Sequence, residues 1–302
     1  LPTQRRRQRQ MCIRDSNGME IDLGLDLIDT SEFGLSTAIN WSTNENEVTD
    51  LFGTESINLS PGASVSSRAV VGYPLGSLYG TGSQTNPDGS FILNSNGFPQ
   101  ITSSPIVLGD PNPDWRGGIS LSMRYKKFRL NAVLEHSEGG DFSPRTLWVL
   151  RRFGTTQETA NRITLDQPLV NYRGNTIPAG TTVRGNIKDF GGGPVLLDEN
   201  WYRTGIGGGF GDNQAYNFSI ADATFTKLRD LSLSYVIDTP LVTNIGLSDV
   251  IVSLTGRDLI NINKVEGIDP EINTKGVSVA QGVEYFTNPQ TKGFLVSLTI
   301  NY

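Results

Sequence analysis

His136 is the sole histidine in the chain and Cys12 the sole cysteine, which narrows the chemistry at once. One histidine supplies neither the ligands of a zinc centre nor the relay of a Ser-His-Asp array. His136 also ends an alternating run shared with Phe128 and Leu134, where a rim or interface residue fits better than a general base. Carboxylates are more plentiful. Asp198 and Glu199 could be chosen as a pair for glycoside hydrolysis, but the sequence gives no separation between them. Asp269 and Glu271 in GIDPEIN offer oxygens of the kind that hold calcium, with a solvated turn as the plainer reading. GIGGGFG, 205–211, lacks the strand-to-helix context of a phosphate loop and reads as a flexible surface loop; NPDG, 86–89, reads as a tight turn. The expectation is a chain that is not an enzyme and calls for no cofactor and no metal.

Recognition is the chemistry that remains. Sugars stack on aromatic faces, so Trp115, Trp148, Trp201 and Tyr202, in or beside long polar segments, are the candidates for substrate contact. The same four could equally pack those segments against one another.

Strands must position these residues. Glycine is abundant (34) and methionine scarce (3), and no window carries a sustained helical period. No apolar stretch approaches the roughly 18–20 residues of a membrane helix. A membrane barrel stays open, because its strands need only about 9–11 alternating residues.

Seven strands are predicted from alternation. Residues 19–28 put Met19, Ile21, Leu23, Leu25 and Leu27 on one face and Glu20, Asp22, Gly24 and Asp26 on the other; a slip of one residue would exchange the faces. After Asp29-Thr30-Ser31-Glu32, residues 33–42 repeat the scheme with Phe33, Leu35, Ile39 and Trp41. A second hairpin joins 119–125 to 128–136 across Lys126-Lys127. A third joins 224–236 to 249–259 through 237–248. The seventh strand is the terminal FLVSLTINY, apolar at Phe294, Val296, Leu298, Ile300 and Tyr302.

The connections between hairpins, 43–118, 137–223 and 260–293, are far longer than those of a compact domain. Antiparallel strands therefore place every short turn at one end of the sheet and every long segment at the other, with further strands inside the long segments expected in pairs. That is the layout of an outer-membrane barrel. Phe33 to Trp41 and Phe294 to Tyr302 are each eight residues apart, about 21 Å of rise for a tilted strand, close to the ~25 Å apolar band with aromatic rims. The charges Glu20, Asp22, Asp26, Arg129 and Glu135 then face a wet lumen. Alternation alone does not separate lipid from a protein core, so a soluble, secreted β-sandwich binding module or adhesin is the alternative.

Residues 1–16 stand apart. Arg5, Arg6, Arg7, Arg9 and Arg14 oppose only Asp15, with no apolar run after the basic start to make a signal peptide. RQRQMCIRDS resembles translated adapter sequence, and 1–16 is read as an adapter-derived or disordered non-native segment, with 17–302 as barrel. Without it the chain is more acidic than its formal net charge of -6, a poor binder of phosphate backbones; no nucleic-acid partner is expected.

GYPLGSLYG (72–80), GDPNPDW before a hairpin (109–136), EGGD (138–141), ADATFTKLRDLSLSY (221–235), TGRDLININKVEGIDPEIN (255–273) and the aromatic-ended last strand, in this order, resemble the C-terminal third of the SusC/RagA family of TonB-linked outer-membrane receptors. The resemblance covers most of residues 18–302. It implies an all-β fold: a partial antiparallel transmembrane barrel cut from one of about 22 strands, an open sheet with long extracellular loops and no plug domain. It further implies uptake of oligosaccharides or peptides, energised by TonB, beneath a SusD-like surface lipoprotein. The row Phe294, Val296, Leu298, Ile300 and Tyr302 resembles the signal read by the barrel-assembly machinery, with Tyr302 at the periplasmic rim. Short turns would then be periplasmic and long segments extracellular.

Overall fold

A computed structural model describes residues 13–60, 64–205, 214–265, 267–274, 276 and 281–302. Most of the basic start, and the glycine run from 206 onward, lie outside the described residues. Seven long strands form the main sheet: β1 (Ile13–Asp29), β2 (Phe33–Asp50), β3 (Trp115–Tyr125), β4 (Phe128–Glu138), β5 (Phe225–Ile237), β6 (Asp249–Asn263) and β7 (Gly293–Asn301). They are the seven expected from alternation, paired in chain order, every neighbour antiparallel, with β1 and β7 as open edges. Several run further than the alternation showed. β1 takes in residues 13–16, where Asp15 faces Glu47 and Ser16 faces Asn46.

Register carries the apolar row unbroken across the sheet. Ile28 faces Leu35, Leu35 faces Met123, Met123 faces Leu130, Leu130 faces Leu233, Leu233 faces Leu254, and Leu254 faces Val296. A register shift between Asp26 and Ile28 brings Ile28, in place of Leu27, opposite Leu35. One step toward the short turns, Phe33, Tyr125, Phe128 and Tyr235 line up as an aromatic row, the last two rings 4.7 Å apart. The opposite face is polar. Asp26, Ser36, Ser122, Asn131, Ser232 and Thr255 oppose one another in sequence, and only Leu295 interrupts. Ser232 bonds Thr255 and Ser234 bonds Ser253, each at 2.8 Å. Glu20, Asp22, Arg129 and Glu135 belong to this polar face, as alternation predicted.

The chain buries its core elsewhere. Leu23, Leu233 and Leu298 stay exposed and Leu121 half-buried, whereas most of the large buried side chains sit in the three long connections, with Phe225 and Lys227 of β5 as exceptions. A sandwich would have collected those leucines in one core.

The connections hold small sheets that sequence patterning did not reveal: Ser56–Ser60, Ser66–Val70, Ser77–Gly80 and Ile106–Gly109 form one, and Asp141–Pro144 is flanked by Ala221–Asp222 and Val283–Glu284 in another. The pairing expected of extra strands is not met among the described residues of 260–293, where Val283–Glu284 runs parallel to Ser143 and Pro144. None of these joins the main sheet, so its up-and-down order is undisturbed. Helix is sparse. The longest, α1 (Arg145–Arg152), spans two turns.

Candidate functional site

Two features at the long-loop end could meet a ligand: the loop body itself, and the polar face of the wall beneath it. The loop body is built on aromatic rings. Phe98, Phe190, Val195, Leu197, Trp201 and Tyr202 form a buried cluster with Phe91, Leu93, Tyr172 and Phe218 around it. The Trp201 ring lies 5.4 Å from Phe98, 5.5 Å from Phe190 and 5.4 Å from Phe218. Phe91, Leu93 and Phe98 come from the first connection and the others from the second. Neither connection could bury these rings alone.

A second cluster joins Val65 and Leu78 to Trp148 and Tyr216, with Val283 from the third connection against it. The buried Glu284 carboxylate reinforces that junction. It accepts from the Thr146 hydroxyl at 2.6 Å, the Thr146 N–H at 3.2 Å and the Thr287 hydroxyl at 3.1 Å, so α1 and the third connection share one anchor. All three loops thus fold as a single body.

This bears on the four aromatic candidates. Trp148, Trp201 and Tyr202 are buried and pack loop against loop, the second of the two roles open to them. Tyr202 donates to Glu158 at 3.2 Å and accepts from Asn186 at 2.7 Å; burial, with Glu158 beside it, pushes its hydroxyl up to about 12. Trp115 begins β3, beside no loop core. Its ring reaches across Gly117 to lie 4.8 Å from the His136 ring, on the outward face shared with Ile119 and Leu134. The Trp115–His136 pair therefore marks the far rim of the apolar rows. His136 bonds Thr226 at 2.7 Å and Glu138 at 2.9 Å, a rim residue as its sequence position suggested.

The carboxylates are structural too. Asp198 accepts from Asn171 at 2.8 Å and from the Asn200 N–H at 2.9 Å, while Glu199 pairs with Arg203 at 2.7 Å. Among the described residues no three of His, Cys, Asp and Glu gather as a metal would require. Between α1 and residues 183–202 lies a cleft of about 450 Å³, lined by Arg151, Arg152, Arg184, Asp198, Glu199 and Tyr202. Such a wall offers hydrogen bonds of both polarities to a polar ligand.

Beneath the loops, the solvated turn expected at GIDPEIN is replaced by an ion cluster. Lys227 has no exposed side-chain surface, and the Asp269 side chain only 7%. The Lys227 ammonium donates to Asp269 Oδ1 at 2.8 Å and Oδ2 at 2.7 Å, to Glu271 Oε2 at 2.7 Å and to Gln290 Oε1 at 3.1 Å. Arg229 joins Glu135 at 2.6 Å and grips Glu271 with both terminal nitrogens. It can do so because β5 shifts register between Leu228 and Asp230; the extra residue of a bulge re-aims a side chain. The facing strand accommodates this with Asp258 at φ +49. Lys227 and Arg229 of KLRD thereby strap the third connection onto the polar wall at Asp269, Glu271 and Gln290. Sequence pattern showed both halves but not their union, since 42 residues separate Lys227 from Asp269.

Burial pushes the Glu271 carboxyl up, but hydrogen bonds from Arg229 and Lys227 outweigh it and hold it at about 2, below its ordinary 4.5. A depressed carboxyl stabilises fully above its unfolded value and loses that contribution as pH falls through the folded one. The strap is therefore expected to hold down to about pH 4.5 and to loosen progressively toward pH 2, read as growing cleavage within 267–290 by an acid-active protease. Asp110 and Asp141, where GDPNPDW meets EGGD, are raised by burial. They carry the opposite sign, so the GDPNPDW junction should resist acid longer than the strap.

No family model matches the chain. It is similar to TonB-dependent receptor P3 of Formosa agariphila, 22% identical over 321 residues, which cover 95% of this chain and 29% of that protein. Among solved structures it is similar to the RagAB peptide transporter, with a TM-score of 0.60, 17% identity, and 96% of this chain against 29% of that one. The RagAB peptide importer in its closed-closed state gives a TM-score of 0.58 and 18% identity, over 96% of this chain and 30% of that one. The chain spans about 29% of the length of the curated relative. These likenesses bear out the fold that the motifs implied: the chain folds like part of the RagA barrel.

Proposed function

We propose that this chain supplies barrel wall and outer loops to a TonB-energised receptor of the bacterial outer membrane, the setting in which TonB-dependent receptors work. The observation that carries the reading is the pair of faces on one sheet: apolar from Ile28 to Val296 across all seven strands and polar from Asp26 to Thr255 behind them. Lipid on one side and water on the other is a setting that suits such a sheet.

The cargo in this reading is an oligosaccharide or a peptide, admitted past the single loop body. A SusD-like surface lipoprotein covers that end, TonB acts through a part of the receptor beyond this chain, and the barrel-assembly machinery reads the row Phe294 to Tyr302. Support for a peptide comes from the RagAB likeness, and the polar cleft along α1 suits either cargo. The strap at Lys227 holds the third connection against the wall, so the passage is bounded by fixed groups.

The test uses the full-length receptor in its own outer membrane. Uptake of labelled peptides or oligosaccharides should depend on the receptor gene and stop when a protonophore collapses the inner-membrane gradient. Recovery of the receptor as a dispersed monomer without detergent would favour the soluble β-sandwich and end the transport reading.

A further inference from the structure

Two of the three short turns are polar: Asp29 to Glu32, and Lys126-Lys127. The third is not. Residues 239–248 read TPLVTNIGLS, with no charge between Asp238 and Asp249. Thr239 is extended and Pro240 takes the first position of a helical turn, Pro240–Thr243, where a missing N–H leaves nothing unpaired. Gly246, at φ +89, ends the turn as a glycine C-cap. Its N–H donates to the Thr243 carbonyl at 3.1 Å and the Leu247 N–H to that of Val242 at 3.4 Å.

This geometry puts Leu241 and Ile245 four residues apart on one side of the turn, 82% and 73% exposed. The turn is continuous with the outward apolar face. Ile237 faces Val250 and Val250 faces Ile300, the next row beyond Tyr235 and Leu298, and Tyr302 stands almost fully exposed beside them. The flanking charges belong to the opposite face and are tied there. Asp238 pairs with Lys127, and Asp249 accepts from Asn301 at 2.7 Å.

We propose that residues 239–247 form an interfacial foot, with Leu241 and Ile245 seated among the acyl chains of the leaflet at the short-turn end. A short amphipathic segment without charge on its apolar side, joined to a lipid-facing row, suits the boundary between headgroup and acyl chain. The foot rests on the membrane-barrel reading, and two probe sites keep the two separable.

The background is the full-length receptor with every cysteine it carries replaced by serine, reconstituted in phosphatidylcholine vesicles. Nitroxide labels are placed at Ile245→Cys and, separately, at Leu298→Cys, and collision with oxygen is compared with collision with a water-soluble nickel chelate. Both labels should favour oxygen, with 245 shallower than 298. Oxygen preference at 298 but nickel preference at 245 would overturn the foot and leave the barrel standing. Exclusion of both relaxants at 245 would show that protein covers the turn, which also overturns it. Nickel preference at both sites would remove the barrel reading together with the foot.

Discussion

Lys227→Ala is expected to cost about 3–5 kcal/mol, because removing one partner leaves the others buried and uncompensated. Asp269 suffers most: its side chain is nearly sealed, and among the described residues its carboxylate accepts, apart from Lys227, from Asn261 at 3.1 Å and from the Glu271 N–H at 3.0 Å. Glu271 is cushioned by Arg229 and by its own partial exposure, which places the expected loss toward the lower end. The damage should be local. Residues 267–290 should gain sensitivity to proteolysis while the β2–β3–β4 portion of the sheet keeps its protection. Lys227→Met combined with Asp269→Asn and Glu271→Gln should lose clearly less than Lys227→Ala, since neutral groups can be buried at lower cost. Equal losses in the two variants would mean that packing, not charge, holds the strap.

Leu231→Arg carries the other large effect. Leu231 faces Ala132 and Gly256 in the middle of the outward rows, between the Tyr125–Phe128–Tyr235 edge and the Trp115–His136 edge. An arginine at the midplane of a lipid-facing wall costs about 2–4 kcal/mol. Leu231→Ala separates lipid from protein surroundings. Acyl chains flow into the vacated space, so the cost stays well below the roughly 2–5 kcal/mol of a cavity left in a packed core. Denaturant titration of the full-length receptor in vesicles measures both variants. A large loss in the alanine variant would point to a protein core over Leu231 and against lipid.

The main sheet is legible because an apolar and a polar face impose period-two alternation on every strand, and register follows once the faces are fixed. Legibility failed where that constraint lapsed. β3 begins at Trp115, yet Gly117 and Gly118 interrupt the apolar row in WRGGIS, so alternation is visible only from Ile119 and leaves Trp115 in or beside the long segment before it. Above the wall, burial is decided by segments far apart in the chain. Phe98 meets Trp201, and no local period announces that contact. Sequence pattern shows Lys227 only as one residue of a strand, since nothing near it in the chain announces that Asp269 and Glu271 enclose it. A buried lysine needs carboxylates, and asking where its counter-charge lay would have pointed to GIDPEIN.

On the transport reading proposed above, the common aromatic interior of the three long connections constrains how the admitted cargo can change. Transplanting one segment from a relative would strip Phe98 of Trp201, or Val283 of Trp148's cluster, and the chimera would misfold before its selectivity could be judged. Transplanting all three together preserves their mutual fit. Variation in what is admitted should therefore be inherited in blocks, with piecemeal change confined to surface positions that touch no ring.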